Sequence, residues 1–473
     1  MSTATVVGSG PNGLACAAVL ARAGLEVTVY EAADTIGGGT RSSELTLPGV
    51  IHDHCSAVHP MGVASPVFES LGLEDHGLTW LWPEVDMAHP LDGGAAGVLH
   101  RSVSRTAASI GRDRETWLRL FASSVAGFDD LRHEILGPVV HMPRHPFKLA
   151  RFGLPGLLPA TRLARSFETR EAKALFAGAA AHSFSPLQQP MSAAVGIALI
   201  VSGHAGGWPV ARGGSRSISD ALASVILEEG GRIETGRRIT GLSELPDADA
   251  VVLDLDPRGV IDIAGDRLPA RTRRSYAGYR YGPGSFKLDL AVEGGVPWSN
   301  EDCRRAGTVH VGGSIEQIAD AERQVNRGRM PERPFVLVCQ QYLADPSRSA
   351  GEVHPVWAYA HVPAFYEGDA SEAILGQIER FAPGLRERIV GSFARSTAGF
   401  FEYNSNWFGG DIATGANTPL QMIMRPRPGF RPYETGIPGV YICSSATPPG
   451  GGVHGMCGAN AAGAVLRRLR VSG

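Results

Sequence analysis

Apolar and polar positions follow three different periods along this chain, and each period predicts its own kind of element. Near the start an apolar run, Thr5-Val6-Val7, leads into a cluster of glycines and then an alanine-rich helical stretch that Gly24 ends. A second strand, Leu25-Glu26-Val27-Thr28-Val29-Tyr30, closes at Glu31. Residues 86–205 turn to a mainly helical period, with amphipathic segments at 115–131 and 170–181. The first pattern then returns: Arg212-Gly213-Gly214, a helix over 217–229 closed by Gly230-Gly231, a strand over 232–235, a turn at Gly236, a segment at 238–242 and the buried strand Ala250-Val251-Val252-Leu253. Beyond it, Phe286-Lys287-Leu288-Asp289-Leu290-Ala291-Val292 alternates strictly, and 336–342 and 356–362 read as further half-buried strands. The chain closes with a strand over 439–443, a loop over 444–452 and a helix from about His454 to Arg470.

These patterns predict an α/β fold in two parts. A discontinuous Rossmann-like dinucleotide-binding domain draws on residues 1–85, 206–270 and 431–473, whose strands share one sheet. A second, α+β substrate domain is helical over 86–205 and carries an antiparallel sheet over 271–430, one face of which would either wall a cavity or simply pack on those helices.

The chemistry lies at the junction of the first strand and helix. In Gly8-Ser9-Gly10-Pro11-Asn12-Gly13, Gly8 permits a sharp reversal, Gly10 lets the backbone approach a pyrophosphate, and Gly13 lets helix and strand pack closely. Pro11 suits the first helical turn, where its missing N–H is no loss, and the free N–H groups of that turn attract phosphate. Glu31 stands at the distance along the chain where a carboxylate accepts from ribose hydroxyls, and an acid there disfavours a 2′-phosphate. Gly450-Gly451-Gly452, ahead of the final helix, offers backbone N–H groups to a bound group that gains negative charge, as a reduced flavin does.

Composition narrows the classes. At 473 residues, 43% hydrophobic and 19% charged, the chain has room for two or three domains and a sizeable core. A net charge of -3 gives no reason to expect nucleic acid. The six cysteines, at 16, 55, 303, 339, 443 and 457, form no C-x-x-C pair, which argues against a redox dithiol or a zinc knuckle. His52, Asp53, His54, Cys55 and His59 invite a metal reading, but their spacing matches no usual zinc pattern, so no metal site is expected. The dinucleotide pattern starts within a few residues of Met1, with no basic-then-apolar leader, and no uncharged run reaches the roughly 18 residues of a membrane span. A cytoplasmic location is expected. The basic, proline-interrupted stretch 141–165 mixes Arg144, Lys148, Arg151, Arg162 and Arg165 with Phe147, Phe152, Leu154, Leu157 and Leu158, a composition open both to a solvated helix pair and to adsorption on a membrane.

Taken together, these segments resemble the superfamily of flavin amine oxidases and bacterial phytoene desaturases, and within it the phytoene-dehydrogenase-related branch. The resemblance covers nearly the whole chain. Its most specific pieces are Gly37-Gly38-Gly39-Thr40-Arg41-Ser42, the stretch 53–60, and Ser444-Ser445-Ala446-Thr447-Pro448-Pro449-Gly450-Gly451-Gly452-Val453-His454-Gly455-Met456; Arg304-Arg305-Ala306-Gly307-Thr308-Val309-His310 is similar but less specific. The resemblance implies FAD as cofactor. Gly8, Ser9, Gly10, Asn12 and Gly13 would then lie at its pyrophosphate, Glu31 at the adenosine ribose, Gly38 and Arg41 at the phosphate and flavin side, Ile239 beside the adenine, and Gly452 and Val453 at the flavin ring. Carotenoid desaturases usually carry arginine directly after the paired glycines, whereas here Arg41 follows Gly39-Thr40, so the substrate need not be a carotenoid.

The resemblance further implies hydride transfer from an apolar, isoprenoid or lipid-like substrate to flavin N5, with the electron acceptor left open among oxygen, quinone and nicotinamide. His59 and His454 are the candidates for moving protons, since they lie in the two segments expected nearest the ring. Two alternatives stay open: a flavin-dependent isomerase, and a flavoprotein whose FAD is structural and whose surface serves a partner. A homodimer is compatible with all three.

Overall fold

The computed structural model describes residues 2–470, so Met1 and the last three positions of the 431–473 segment lie outside the described residues. Two sheets organise the chain. The first has five parallel strands in the order Val440–Ile442, Ala250–Leu253, Thr3–Val7, Glu26–Tyr30, Arg232–Glu234. Strands from three distant stretches therefore sit side by side, and the sheet's centre is the strand that runs into Gly8.

On this sheet packs the Pro11–Arg22 helix, which is buried along nearly its whole length: Leu14, Ala15, Cys16, Ala17, Ala18, Leu20 and Ala21 are all enclosed. It is rich in alanine because the helices Arg216–Glu228 and Met456–Leu469 press on it from either side, joining one core with Val6, Val27, Val29, Leu222 and Val465. The approach is closest at Gly458, where a Cβ would lie 1.8 Å from the carbonyl oxygen of Asn12.

The second sheet has seven strands in the order Ile389–Arg395, Gly284–Glu293, Val353–Val362, Val336–Cys339, Ala306–Val311, Val85–Pro90, Ala96–Leu99. It is antiparallel at every junction but one, where Ala306–Val311 runs parallel to Val85–Pro90. The 86–205 stretch, read as mainly helical, thus contributes two strands to this sheet before its helices begin. Their signal was hidden because Val85–Pro90, buried at every position, breaks its alternation at Ala88. One face of the sheet is apolar, carrying Leu288, Val309, Val338 and Ala358 under the helix Ser371–Glu379. The opposite face carries Leu337, Trp357 and Tyr359 against the helices of 103–206.

The Ser192–Gly206 helix explains itself by having two apolar neighbours. Ala193, Ile197, Ile200 and Val201 enter the core, while Ala194, Val195, Ala198 and Leu199 line a cavity. Other boundaries moved slightly. Residues 238–242 form no strand, 115–131 splits into the helices Arg114–Ala126 and Phe128–Ile135 at Gly127, and the last helix begins at Met456.

Candidate active site

One cavity of about 970 Å³ reaches from the first glycine turn to the second sheet. Of the residues singled out in the sequence, Gly8, Ser9, Gly10, Asn12, Glu31, Gly38, Arg41, His59, Ile239, Gly452, Val453 and His454 all line it. Gly13 does not line it but shapes its floor: a Cβ there would lie 2.2 Å from the carbonyl oxygen of Gly8, so no other residue lets the helix start so close to the strand.

At the glycine end, Gly8 takes a left-handed φ of 100° and the turn folds over two buried acids. Glu31 Oε2 accepts from the backbone N–H of Ser9 at 2.9 Å and from its hydroxyl at 2.5 Å, while Oε1 accepts from Ala33 N–H at 2.9 Å and lies 3.4 Å from the Arg41 guanidinium. Asp254, just past the Ala250–Leu253 strand, accepts the Gly13 N–H at 3.0 Å. Burial, with the Glu31 carboxylate adding to it, pushes the Asp254 carboxyl up to about 7. Arg41 donates to the carbonyls of Thr35 and Ile36 and lies 5.3 Å from the centre of the Tyr403 ring. Beside Ile239, the Arg237 guanidinium stacks 4.4 Å over Tyr30.

At the opposite corner the loop after the Val440–Ile442 strand places Gly452, at φ 135°, and Val453 in the cavity wall. His454 accepts the Met456 N–H on Nδ1 at 3.0 Å, and its carbonyl accepts from the Ser65 hydroxyl at 2.6 Å. His59 Nε2 lies 2.8 Å from the Ser215 hydroxyl, which itself donates to the Ser56 carbonyl at 2.6 Å. The imidazole therefore donates through Nε2, and Nδ1, buried with no partner, carries the lone pair. Burial lowers both imidazoles to about 4, so both are neutral at pH 7.

The group read as a metal candidate disperses among other partners. Asp53 is ion-paired with the fully buried Arg348 and accepts from Ser42 and Ser215; the Arg348 ion pair, with these hydrogen bonds, holds its carboxyl below the usual range despite burial. His52 lies against Asp289, which is paired with the buried Lys287. His54 meets Ser43 at 2.7 Å and the ring of Tyr403.

Several residues of the site escaped sequence reasoning. Tyr403 donates to the Gly38 carbonyl at 3.0 Å, Asn406 donates to the Asp254 carbonyl at 3.1 Å, and the Trp407 ring packs on Gly39. With Asn404 and Ser405 they form one wall of the cavity. Asp254 carried the one usable signal, a carboxylate directly after an apolar strand.

A flavin dinucleotide fits this chemistry. The Pro11–Arg22 helix has no cap from its own N-cap residue Gly10 and no acid in its first turn, and although Asp254 takes the Gly13 N–H, its positive end still faces the cavity where an anion would lie. Asn12 Oδ1 is buried at the cavity wall without a partner. Gly38, at φ 51°, brings its turn so near the first that a Cβ there would lie 3.2 Å from the Gly10 Cα.

Comparison with known proteins agrees. Residues 6–71 match the NAD(P)-binding Rossmann-like domain family. Over 99% of its length the chain is 23% identical to the rat protein called pyridine nucleotide-disulfide oxidoreductase domain-containing protein 2, covering 94% of that protein. It is 30% identical over 293 residues to hydroxyneurosporene desaturase of Cereibacter sphaeroides, covering 54% of this chain and 56% of the relative. A solved putrescine oxidase superposes with a TM-score of 0.62 at 18% identity, covering 100% of this chain and 99% of the other. Fold and site together define an α/β protein with a Rossmann-like dinucleotide-binding region opening on a shared cavity. The chain is similar to proteins of the superfamily that joins the phytoene desaturases and the flavin amine oxidases.

Proposed function

We propose that this chain is an FAD-dependent dehydrogenase, desaturase or oxidase of the phytoene-dehydrogenase-related branch, acting on an apolar substrate of isoprenoid or lipid type. One observation carries the reading: a single cavity is lined both by the two glycine corners and by a wall of Val58, Phe184, Leu199, Leu337, Trp357 and Tyr359. Gly8, Ser9, Gly10, Asn12 and Gly13 hold the pyrophosphate, Glu31 the ribose, Ile239 the adenine side, Gly38 and Arg41 the middle, and Gly452 and Val453 the ring. Bound FAD supplies a hydride acceptor at N5.

The chain's own residues bind, orient and exclude water. The aromatic and aliphatic wall desolvates an apolar substrate and holds it against the glycine corner. Neutral His59 and His454 keep positive charge away from the reacting bond. His59 offers the unpartnered Nδ1 lone pair as an acceptor at the cavity wall through which a released proton would pass without resting there, since burial lowers this imidazole to about 4. A large apolar chamber supports turnover over a purely structural cofactor, because a structural flavin needs no room beside it.

The test is an anaerobic titration of the purified protein with lipid and isoprenoid extracts, following flavin absorbance. Bleaching by an apolar fraction is the expected result. Bleaching by amines alone would replace the substrate class, and a colourless protein that refuses added FAD would overturn the reading.

A further inference from the structure

The 138–158 segment forms the outer rim of the apolar chamber. Val139, His141, Leu149, Phe152, Leu154 and Leu157 line the cavity from this segment. Its outer side is apolar as well: Met142 is 90% exposed, Phe147 89%, Leu154 67% and Leu157 54%. Within the Pro146–Gly156 helix, Phe147, Arg151 and Leu154 recur at helical spacing and make one outward stripe. Single exposed apolar residues are ordinary, but several on one rim mark a contact surface.

Charge says what covers it. Between Leu136 and Phe167 the sequence holds five Lys or Arg (Arg144, Lys148, Arg151, Arg162 and Arg165) and no Asp or Glu, in a chain whose net charge is -3. Lys148 is paired with Asp130, while the four arginines are exposed and make no ion pair among the described residues. Exposed aromatic and aliphatic side chains set among unpaired arginines match the interface of an anionic bilayer, where apolar groups enter the acyl region and guanidinium groups meet phosphate. No helix among the described residues is long and apolar enough to cross a membrane. The Pro146–Gly156 helix, with Pro155 inside it, is short enough to lie in the interface plane.

We propose that the 138–158 rim docks on an anionic lipid bilayer, so that the part of the cavity wall formed by Leu154 and Leu157, both lining and exposed, faces acyl chains and the substrate enters from lipid. The apolar nature of the substrate rests on the functional reading above, but the docking surface does not. An enzyme whose chamber opens into lipid draws a water-insoluble substrate without passing it through water.

All six native cysteines are buried, so a Met142→Cys variant accepts an environment-sensitive fluorophore at that site alone. With vesicles of phosphatidylcholine containing about 30 mol % phosphatidylglycerol, the probe should shift to the blue and the protein should co-float. Pure phosphatidylcholine should bind about tenfold or more weakly, and Arg144→Glu with Arg151→Glu should remove the preference for anionic lipid. Phe147→Ser with Met142→Ser should abolish flotation while leaving the flavin spectrum unchanged, since neither residue lines the cavity. Flotation that these variants do not alter would overturn the proposal. So would failure to bind either vesicle, or protection of the rim by a second copy in solution. A protein that floats but carries no FAD would sink the functional reading and leave the docking surface standing.

Discussion

His59 and His454 are buried without charge, and this sets an acid limit on the fold. In the unfolded chain each imidazole titrates near 6.5, whereas in the folded chain burial lowers it to about 4. The unfolded state therefore binds more protons between these values. The stability contributed is complete above pH 6.5 and falls as pH drops toward 4, by about 1.4 kcal/mol per pH unit for each imidazole. His89 and His204 are lowered to about 4 by the same burial and steepen the loss. Urea unfolding across this window checks the sign, and His454→Gln should reduce the slope by about one proton. A slope that stays the same in that variant would show that the imidazole titrates normally. Arg348 makes the opposite case, a buried charge that must stay paired. Replacing it by Met leaves Asp53 and Asp345 facing each other unpaired in a closed interior, and a loss of about 3–5 kcal/mol is expected from denaturant titration.

Among the elements, the contact between the Pro11–Arg22 and Met456–Leu469 helices is the most sharply constrained. A methyl on Gly458 has no room against the Asn12 carbonyl, so Gly458→Ala should cost about 1–3 kcal/mol in urea unfolding and weaken FAD retention, because relief requires the first helix to shift. A variant that holds FAD as tightly as the parent would show the two helices to be uncoupled. The strands and helix of the first forty residues were legible because glycine, period and acid all point one way there. The 284–293 and 353–362 strands were legible from alternation in part of their length. They are buried on both faces rather than half-buried, the first because Lys287 and Asp289 pair with each other in the interior. Val85–Pro90 was not legible, because its run Val-Asp-Met-Ala-His-Pro breaks the alternation at Ala88. Nor could the polar stretch 403–407 be assigned from sequence, since its partners Gly38, Gly39 and Asp254 lie far away along the chain.

In the molecule as a whole, residues of both sheets and of both glycine corners contribute to the wall of one cavity. Ligand binding should therefore read out on the entire fold. Added FAD at about 100 times its dissociation constant should stabilise the apoprotein by about 2.7 kcal/mol, visible as a raised Tm in a thermal melt. No change in Tm on adding FAD would argue against the cavity as its site. The order of strands in the parallel sheet has a separate consequence for biosynthesis. Thr3–Val7 is synthesised well before its neighbour Ala250–Leu253, and the strand Val440–Ile442 that flanks Ala250–Leu253 is synthesised later still. Until Ala250–Leu253 and the Met456–Leu469 helix have been made, Thr3–Val7 has one edge bare and the alanine-rich helix one face uncovered, so the first glycine turn is set in its final frame only after these distant segments join it.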